Sequence, residues 1–176
     1  MNLKRISITG PESTGKSWLA ERLAKYFNTA WVPEYSREYL HKLGREYVFE
    51  DILEIAKGQL SKENEMEKKA SGLLFCDTDL LVARIWSEFK YGRCDPWIIH
   101  QLKIHHYGLY LLCDIDLPWE ADPLREHPHK RKDLFDLYKK NLEEMRVEYA
   151  IISGTGINRL NMAIETVART FRISHR

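Results

Sequence analysis

A chain of 176 residues can bury one substantial core and is short for two ordinary domains, so one domain over residues 1–176 is expected. Its 27 lysines and arginines against 26 acidic residues leave a formal net charge of +1, which gives no global attraction to nucleic acid or to an anionic membrane. That balance favours a small-molecule partner.

The basic start, Met1 to Arg5, is followed by an apolar stretch that Ser7 and Thr9 interrupt, unlike a signal peptide, and no run of the sequence is long enough to span a bilayer. Residues 3–9 read as a strand and lead into Gly10-Pro11-Glu12-Ser13-Thr14-Gly15-Lys16-Ser17, the pattern of a phosphate-binding P-loop. In such a loop Gly10 and Gly15 permit positive φ, Lys16 reaches the β- and γ-phosphates, and the Ser17 hydroxyl faces Mg²⁺. Residues 16–27 then carry Trp18, Leu19, Leu23 and Phe27 at helical spacing, which supplies the strand–loop–helix context. The nucleotide site is accordingly assigned to residues 10–18, with ATP and Mg²⁺ as cofactors.

A short apolar run around 30–32 ends in Val32-Pro33-Glu34-Tyr35-Ser36-Arg37, which places a carboxylate and a guanidinium where a phosphoryl acceptor should sit. A surface ion pair between Glu34 and Arg37 is the plainer alternative. Residues 50–69 carry Ile52, Ala56 and Leu60 on one face before becoming strongly charged, as in a long helix projecting toward solvent, with Gly58 a weak point in it. The next run, 72–76, ends in Asp77, with Asp79 two residues on. Acids at the carboxyl edge of a parallel sheet face the ligand, so Asp77 is the metal candidate together with Ser17. Either Glu34 or Asp79 serves to orient an acceptor hydroxyl and take its proton, unless Asp79 instead caps the helix that follows.

A fourth run covers 109–113. The segment from Asp116 to Arg131 contains Pro118, Pro123 and Pro128, which prevent a long regular element, and it ends among basic side chains, as a mobile flap would. Arg125 and Arg131 are candidates to close over the transferring phosphoryl group, and Trp119 to stack on a planar ring. The last run, 149–152, leads through Ser153-Gly154-Thr155-Gly156 to a helix over 156–172, with Ile157, Leu160, Ile164, Val167 and Ala168 as its buried stripe. The cysteines Cys76, Cys94 and Cys113 are odd in number and lack Cys-x-x-Cys spacing, and the histidine pairs 105–106 and 127–129 lack a third ligand. Neither a disulfide framework nor a transition-metal site is expected, and a reducing cytoplasm fits. Together these features imply an α/β P-loop NTPase with a five-stranded parallel sheet, helices on both faces and an arginine-bearing flap.

The motifs resemble a known family, the ribosylnicotinamide kinase domain of NadR-type proteins. The resemblance rests on the P-loop, on Pro33-Glu34-Tyr35-Ser36-Arg37-Glu38-Tyr39-Leu40, on Gly58-Gln59, on Phe75-Cys76-Asp77-Thr78-Asp79 and on Asp116-Leu117-Pro118-Trp119-Glu120. It implies ATP-dependent phosphorylation of nicotinamide riboside at its ribose 5′-hydroxyl, in NAD salvage, with the acceptor near Glu34, Arg37, Asp79 and Trp119. The chain length leaves no room for the adenylyltransferase domain that usually precedes this kinase, so a stand-alone kinase is expected. Pro123 stands where the family is expected to have glycine, which puts the acceptor in question. A kinase for another small nucleoside or nucleotide is the nearest alternative, and a non-catalytic ATP-binding regulatory module the more distant one. The oligomeric state stays open, a homo-oligomer included.

Overall fold

A computed structural model describes residues 3–173. Five strands, β1 (Lys4–Thr9), β2 (Ala30–Val32), β3 (Leu73–Asp77), β4 (Leu109–Cys113) and β5 (Tyr149–Ile152), form one sheet in the order β2-β3-β1-β4-β5. All four pairings are parallel. Among the described residues seven helices connect and flank them: α1 (Lys16–Tyr26), α2 (Tyr35–Leu43), α3 (Phe49–Glu67), α4 (Leu80–Tyr91), α5 (Pro96–Ile104), α6 (Arg131–Met145) and α7 (Gly156–Phe171).

The two-residue period of a strand decides which side chains go to which layer. Leu74 and Cys76 of β3, with Tyr110 and Leu112 of β4, pack into one core beside Ile52, Leu81 and Leu142. Their neighbours Leu73, Phe75, Leu109 and Leu111 join Ile6 and Ile8 in a second core against Leu19, Leu23 and Val167. Every residue of β3 and β4 is buried, as expected of central parallel strands covered on both faces. Because β1 lies between β3 and β4, the chain leaves its carboxyl end at the point where successive connections diverge to opposite sides, which is where ligands bind in open α/β sheets.

Two expectations about helices need correction. The charged end of α3 reaches solvent on one face only: Glu65 and, just past the helix, Lys69 are exposed, but Glu63 is fully buried and accepts a hydrogen bond from Tyr107 Oη at 2.7 Å, with His105 Nε2 2.8 Å from its other oxygen. Arg5 pairs with Glu67 at 2.6 Å, so partners from distant parts of the chain draw the helix onto the sheet. On α7, the buried stripe is Ala163, Ile164, Val167 and Ala168, whereas Ile157 is 64% exposed because it lies in the first turn, ahead of the segment that packs on α1 and the sheet.

Candidate active site

The loop after β1 has the backbone its sequence requires. Gly10 and Gly15 have φ of +132° and +75°. A Cβ at Gly10 would lie 3.0 Å from the Cys113 carbonyl oxygen, and one at Gly15 3.0 Å from Leu117 Cδ1, so close packing and backbone angle both favour glycine. No side chain caps α1, which leaves its first-turn N–H groups and the positive end of its dipole facing the loop. Lys16 Nζ folds over that loop, donating to the carbonyl oxygens of Pro11 at 2.7 Å and Gly10 at 3.1 Å.

The loop forms one end of a cavity of about 500 Å³ that all of Gly10 to Trp18 line. The far walls are Leu40 of α2, Val82, Ile85, Trp86 and Phe89 of α4, and Leu134 and Tyr138 of α6, with Glu34 and Arg37 among them. One end is therefore suited to phosphates and the other is apolar and aromatic with a few polar groups, the usual composition of a small-ligand site. Glu34 stands at the N-terminus of α2, its carboxylate accepting from Ser36 Oγ at 2.7 Å and Arg37 Nε at 3.2 Å. The ion pair is present, and both of its members also face the cavity.

Asp77 closes β3 almost completely buried, and one carboxylate oxygen, Oδ1, has no hydrogen-bond partner. Burial raises its pKa above the ordinary range and the nearby Glu34 charge adds to this, while the Ser17 hydroxyl and Lys16 act in the opposite direction. An unpaired buried carboxylate oxygen beside a serine hydroxyl and a second carboxylate fits a hard divalent cation such as Mg²⁺. Among the described residues no cluster of three His, Cys, Asp or Glu side chains forms a metal cage. The next residue, Thr78, takes φ of +69°, an unfavourable angle for a β-branched side chain, where the strand turns into the site.

Three expected site residues are placed differently. Asp79 does not reach the main cavity: it caps α4, accepting the Val82 N–H at 2.9 Å, and takes a hydrogen bond from the Ser7 hydroxyl. Burial pushes its carboxyl up to about 6 against those two hydrogen bonds. Arg131 does not line the cavity either; it opens α6 and donates to the carbonyls of Ser13, Ile115 and Leu117 at 2.9–3.3 Å, stapling the root of the flap to the P-loop. Trp119 is half-buried and outside the cavity wall, where Leu117, Pro118 and Glu120 stand instead. Arg125 does face the cavity and reaches Ser13 Oγ at 3.3 Å. Pro123 occupies a turn from Asp122 to Arg125 closed by a 3.0 Å backbone hydrogen bond, a position where its fixed φ is favourable.

Several contributors escaped the sequence reading. Arg159 is buried and donates to Asp116 at 2.7 Å and to the carbonyls of Gly154, Thr14 and Asp114, tying α7 to both the P-loop and the flap. Gly58 is no weak point, because the ring of Tyr35 occupies the space a side chain would need. Gln59 beside it accepts the Tyr35 N–H at 2.9 Å and donates to the Asp77 carbonyl at 3.3 Å, fixing the start of α2, and so Glu34, against the end of β3. The Gly58-Gln59 pair was a sequence signal; Trp86 and Arg159 had none.

A family model described as an AAA domain matches residues 5–159. The chain belongs to that family. The trifunctional NAD biosynthesis/regulator protein NadR of Escherichia coli (strain K12) is 31% identical over 153 residues, a match covering 84% of this chain and 37% of NadR. The chain thus spans little more than a third of that relative. Crystal structures of NadR in complex with NAD and AMP-PNP, and with NR, superpose with TM-scores of 0.83 and 0.82 at 21% identity, covering 99% of this chain and 51% and 53% of theirs. A deoxyadenosine kinase from M. mycoides follows at TM-score 0.66 and 11% identity, with 94% of this chain and 99% of that one covered. The fold of this P-loop domain is that of the P-loop kinases.

Proposed function

We propose that the chain, taken as one unit over residues 1–176, is an ATP-dependent kinase that phosphorylates a small nucleoside, nicotinamide riboside first among them, to give nicotinamide mononucleotide for NAD synthesis. One observation carries the reading: a P-loop and a Glu34–Arg37 pair open on the same cavity, with the buried Asp77 carboxylate next to Ser17, Lys16 and Glu34 of its lining. The similarity to NadR, crystallised with NR, supports that acceptor.

In this reading the loop amides and Lys16 bind the β- and γ-phosphates, Lys16 exchanging the Pro11 and Gly10 carbonyls for phosphate oxygens. Ser17 and Asp77 would hold Mg²⁺, which neutralises charge on the phosphates when bound. Glu34 accepts the proton of the attacking hydroxyl while Arg37 fixes its carboxylate. Arg125 places positive charge at the mouth of the loop, and the apolar walls exclude water that would otherwise compete as acceptor. Asp79 is assigned to holding α4 rather than to proton transfer. ATP as donor and three unpaired cysteines suit a reducing cytoplasm.

The reading is tested by incubating the protein with Mg-ATP and a panel of nucleosides and weighing the products by mass spectrometry. A monophosphate of nicotinamide riboside is expected. A monophosphate of another nucleoside would retain the chemistry and replace the acceptor, and ADP release indifferent to every acceptor would refute the kinase.

A further inference from the structure

Through one residue, Glu126, the flap is tied both to the P-loop and to side chains next to Trp86. The backbone N–H of Glu126 donates to both oxygens of the Glu12 carboxylate at 3.1 Å, and the N–H of His127 adds a third hydrogen bond at 3.0 Å. Glu12 thus uses a variable position of the P-loop to hold the flap. The side chain of Glu126 points the other way: it accepts from Lys90 Nζ at 2.9 Å and from the Tyr47 hydroxyl. Lys90 also donates to Tyr47 Oη at 2.6 Å, as does Trp86 Nε1 at 2.9 Å, and the Tyr47 and Trp86 rings meet edge to face at 4.9 Å. Trp86 is part of the apolar wall of the cavity.

An isolated ion pair as exposed as Lys90 and Glu126, at 31% and 35%, contributes little. Here two partners, Tyr47 from the α2–α3 connection and Lys90 from α4, converge on one carboxylate whose own backbone is fastened to the P-loop, and Trp86 braces Tyr47 from behind. The adjacent residue, Arg125, is the flap arginine that lines the cavity.

We propose that Glu126 is a positioning residue that makes closure of the flap on the P-loop depend on the state of the Trp86 wall. An acceptor packed on that wall holds Tyr47 and Lys90 in place to receive Glu126, and Arg125 is thereby set beside Ser13. With the wall disturbed, the flap loosens and phosphoryl transfer leaks to water. This rests on the kinase reading, but the latch itself has a readout that does not need catalysis.

The experiment compares wild type, Glu126→Ala, Lys90→Met and the double variant. The first readout is trypsin cleavage after Lys130 in the presence of Mg-AMP-PNP, a bond whose flanking residues no variant alters. The second is the ratio of acceptor phosphorylation to acceptor-independent ADP release. Each single variant is expected to be cut roughly tenfold faster and to shift the ratio roughly tenfold toward water, with the double variant no worse than either single one. Cleavage and partition within about twofold of wild type in both single variants would overturn the proposal, as would an effect of Glu126→Ala that Lys90→Met does not share. Lys90 lies on the surface of α4, so its variant decides the matter if Glu126→Ala fails to fold. If wild type phosphorylates no acceptor, the kinase reading fails while the cleavage rates still decide the latch.

Discussion

Lys16 and Arg159 are both cations at the P-loop, and they differ in what they leave behind when removed. Lys16 lies at the cavity surface and donates only to two carbonyls of its own loop, so Lys16→Ala should lower kcat by roughly a hundredfold or more while moving the melting midpoint little. Steady-state ADP formation beside a thermal melt checks this, and near-normal turnover would remove the loop from the mechanism. Arg159 is 1% exposed and serves three carbonyls and a carboxylate, so Arg159→Met strands several buried acceptors and should cost about 3 kcal/mol in urea unfolding. A loss below about 1 kcal/mol would contradict its role as a clip. The contrast also explains what could be read in the sequence. Lys16 sits in a local pattern whose spacing alone carries its chemistry, whereas one of Arg159's partners, Thr14, lies 145 residues away. Trp119 and Trp86 show the same limit: composition marks both as conspicuous, but only the packing of α4 brings Trp86 to the cavity.

Among the elements, α3 departs most from its sequence reading. Its periodicity marks a helix correctly, but Glu63 and Glu67 in its second half meet Tyr107, His105 and Arg5, and such partners cannot be inferred from helical spacing. Gly58 permits a test in which the sign is diagnostic. Helix propensity alone makes Gly58→Ala stabilising by about 1 kcal/mol. A Cβ there would lie 1.9 Å from Tyr35 Cε1, so a net loss of about 1–3 kcal/mol is expected, with a raised acceptor KM as α2 and Glu34 shift. Stabilisation without a change in KM would show that α2 is free to move. At the other end of α3, Asp51 accepts the Val48 N–H at 2.8 Å and pairs with Arg45 at 2.7 Å. The Arg45 guanidinium, aided by the Val48 N–H and Tyr39, holds its carboxyl well below the usual range. A carboxyl depressed in the folded state adds stability above its unfolded pKa and loses it as pH falls through the folded value. Asp51→Asn should therefore destabilise by about 1 kcal/mol at pH 7, the difference from wild type shrinking progressively below pH ~4 in pH-resolved denaturation. A difference independent of pH would mean that the charge is not what matters.

At the scale of the whole molecule, the five strands fall where the short apolar runs predicted, because buried parallel strands are continuous apolar segments that stand out between amphipathic helices. The strand order was not legible run by run, because it rests on the pairing of β1 with both β3 and β4, and it puts the P-loop and the apolar wall across one cavity. The flap's position was equally hidden, since its fastenings to Glu12, Ser13 and Lys90 join residues 36 to 114 apart in the chain. If the cavity binds Mg-ATP, saturation at about a hundred times Kd should stabilise the fold by about 2.7 kcal/mol, a rise of several degrees in the melting midpoint that Asp77→Asn should diminish. The most direct test of the account is ADP formation from Mg-ATP with and without nicotinamide riboside, with the product weighed and Lys16→Ala as control. Acceptor-stimulated ADP release with one nicotinamide mononucleotide formed per ADP is the predicted result; ADP release that neither nicotinamide riboside nor any other nucleoside stimulates would contradict it.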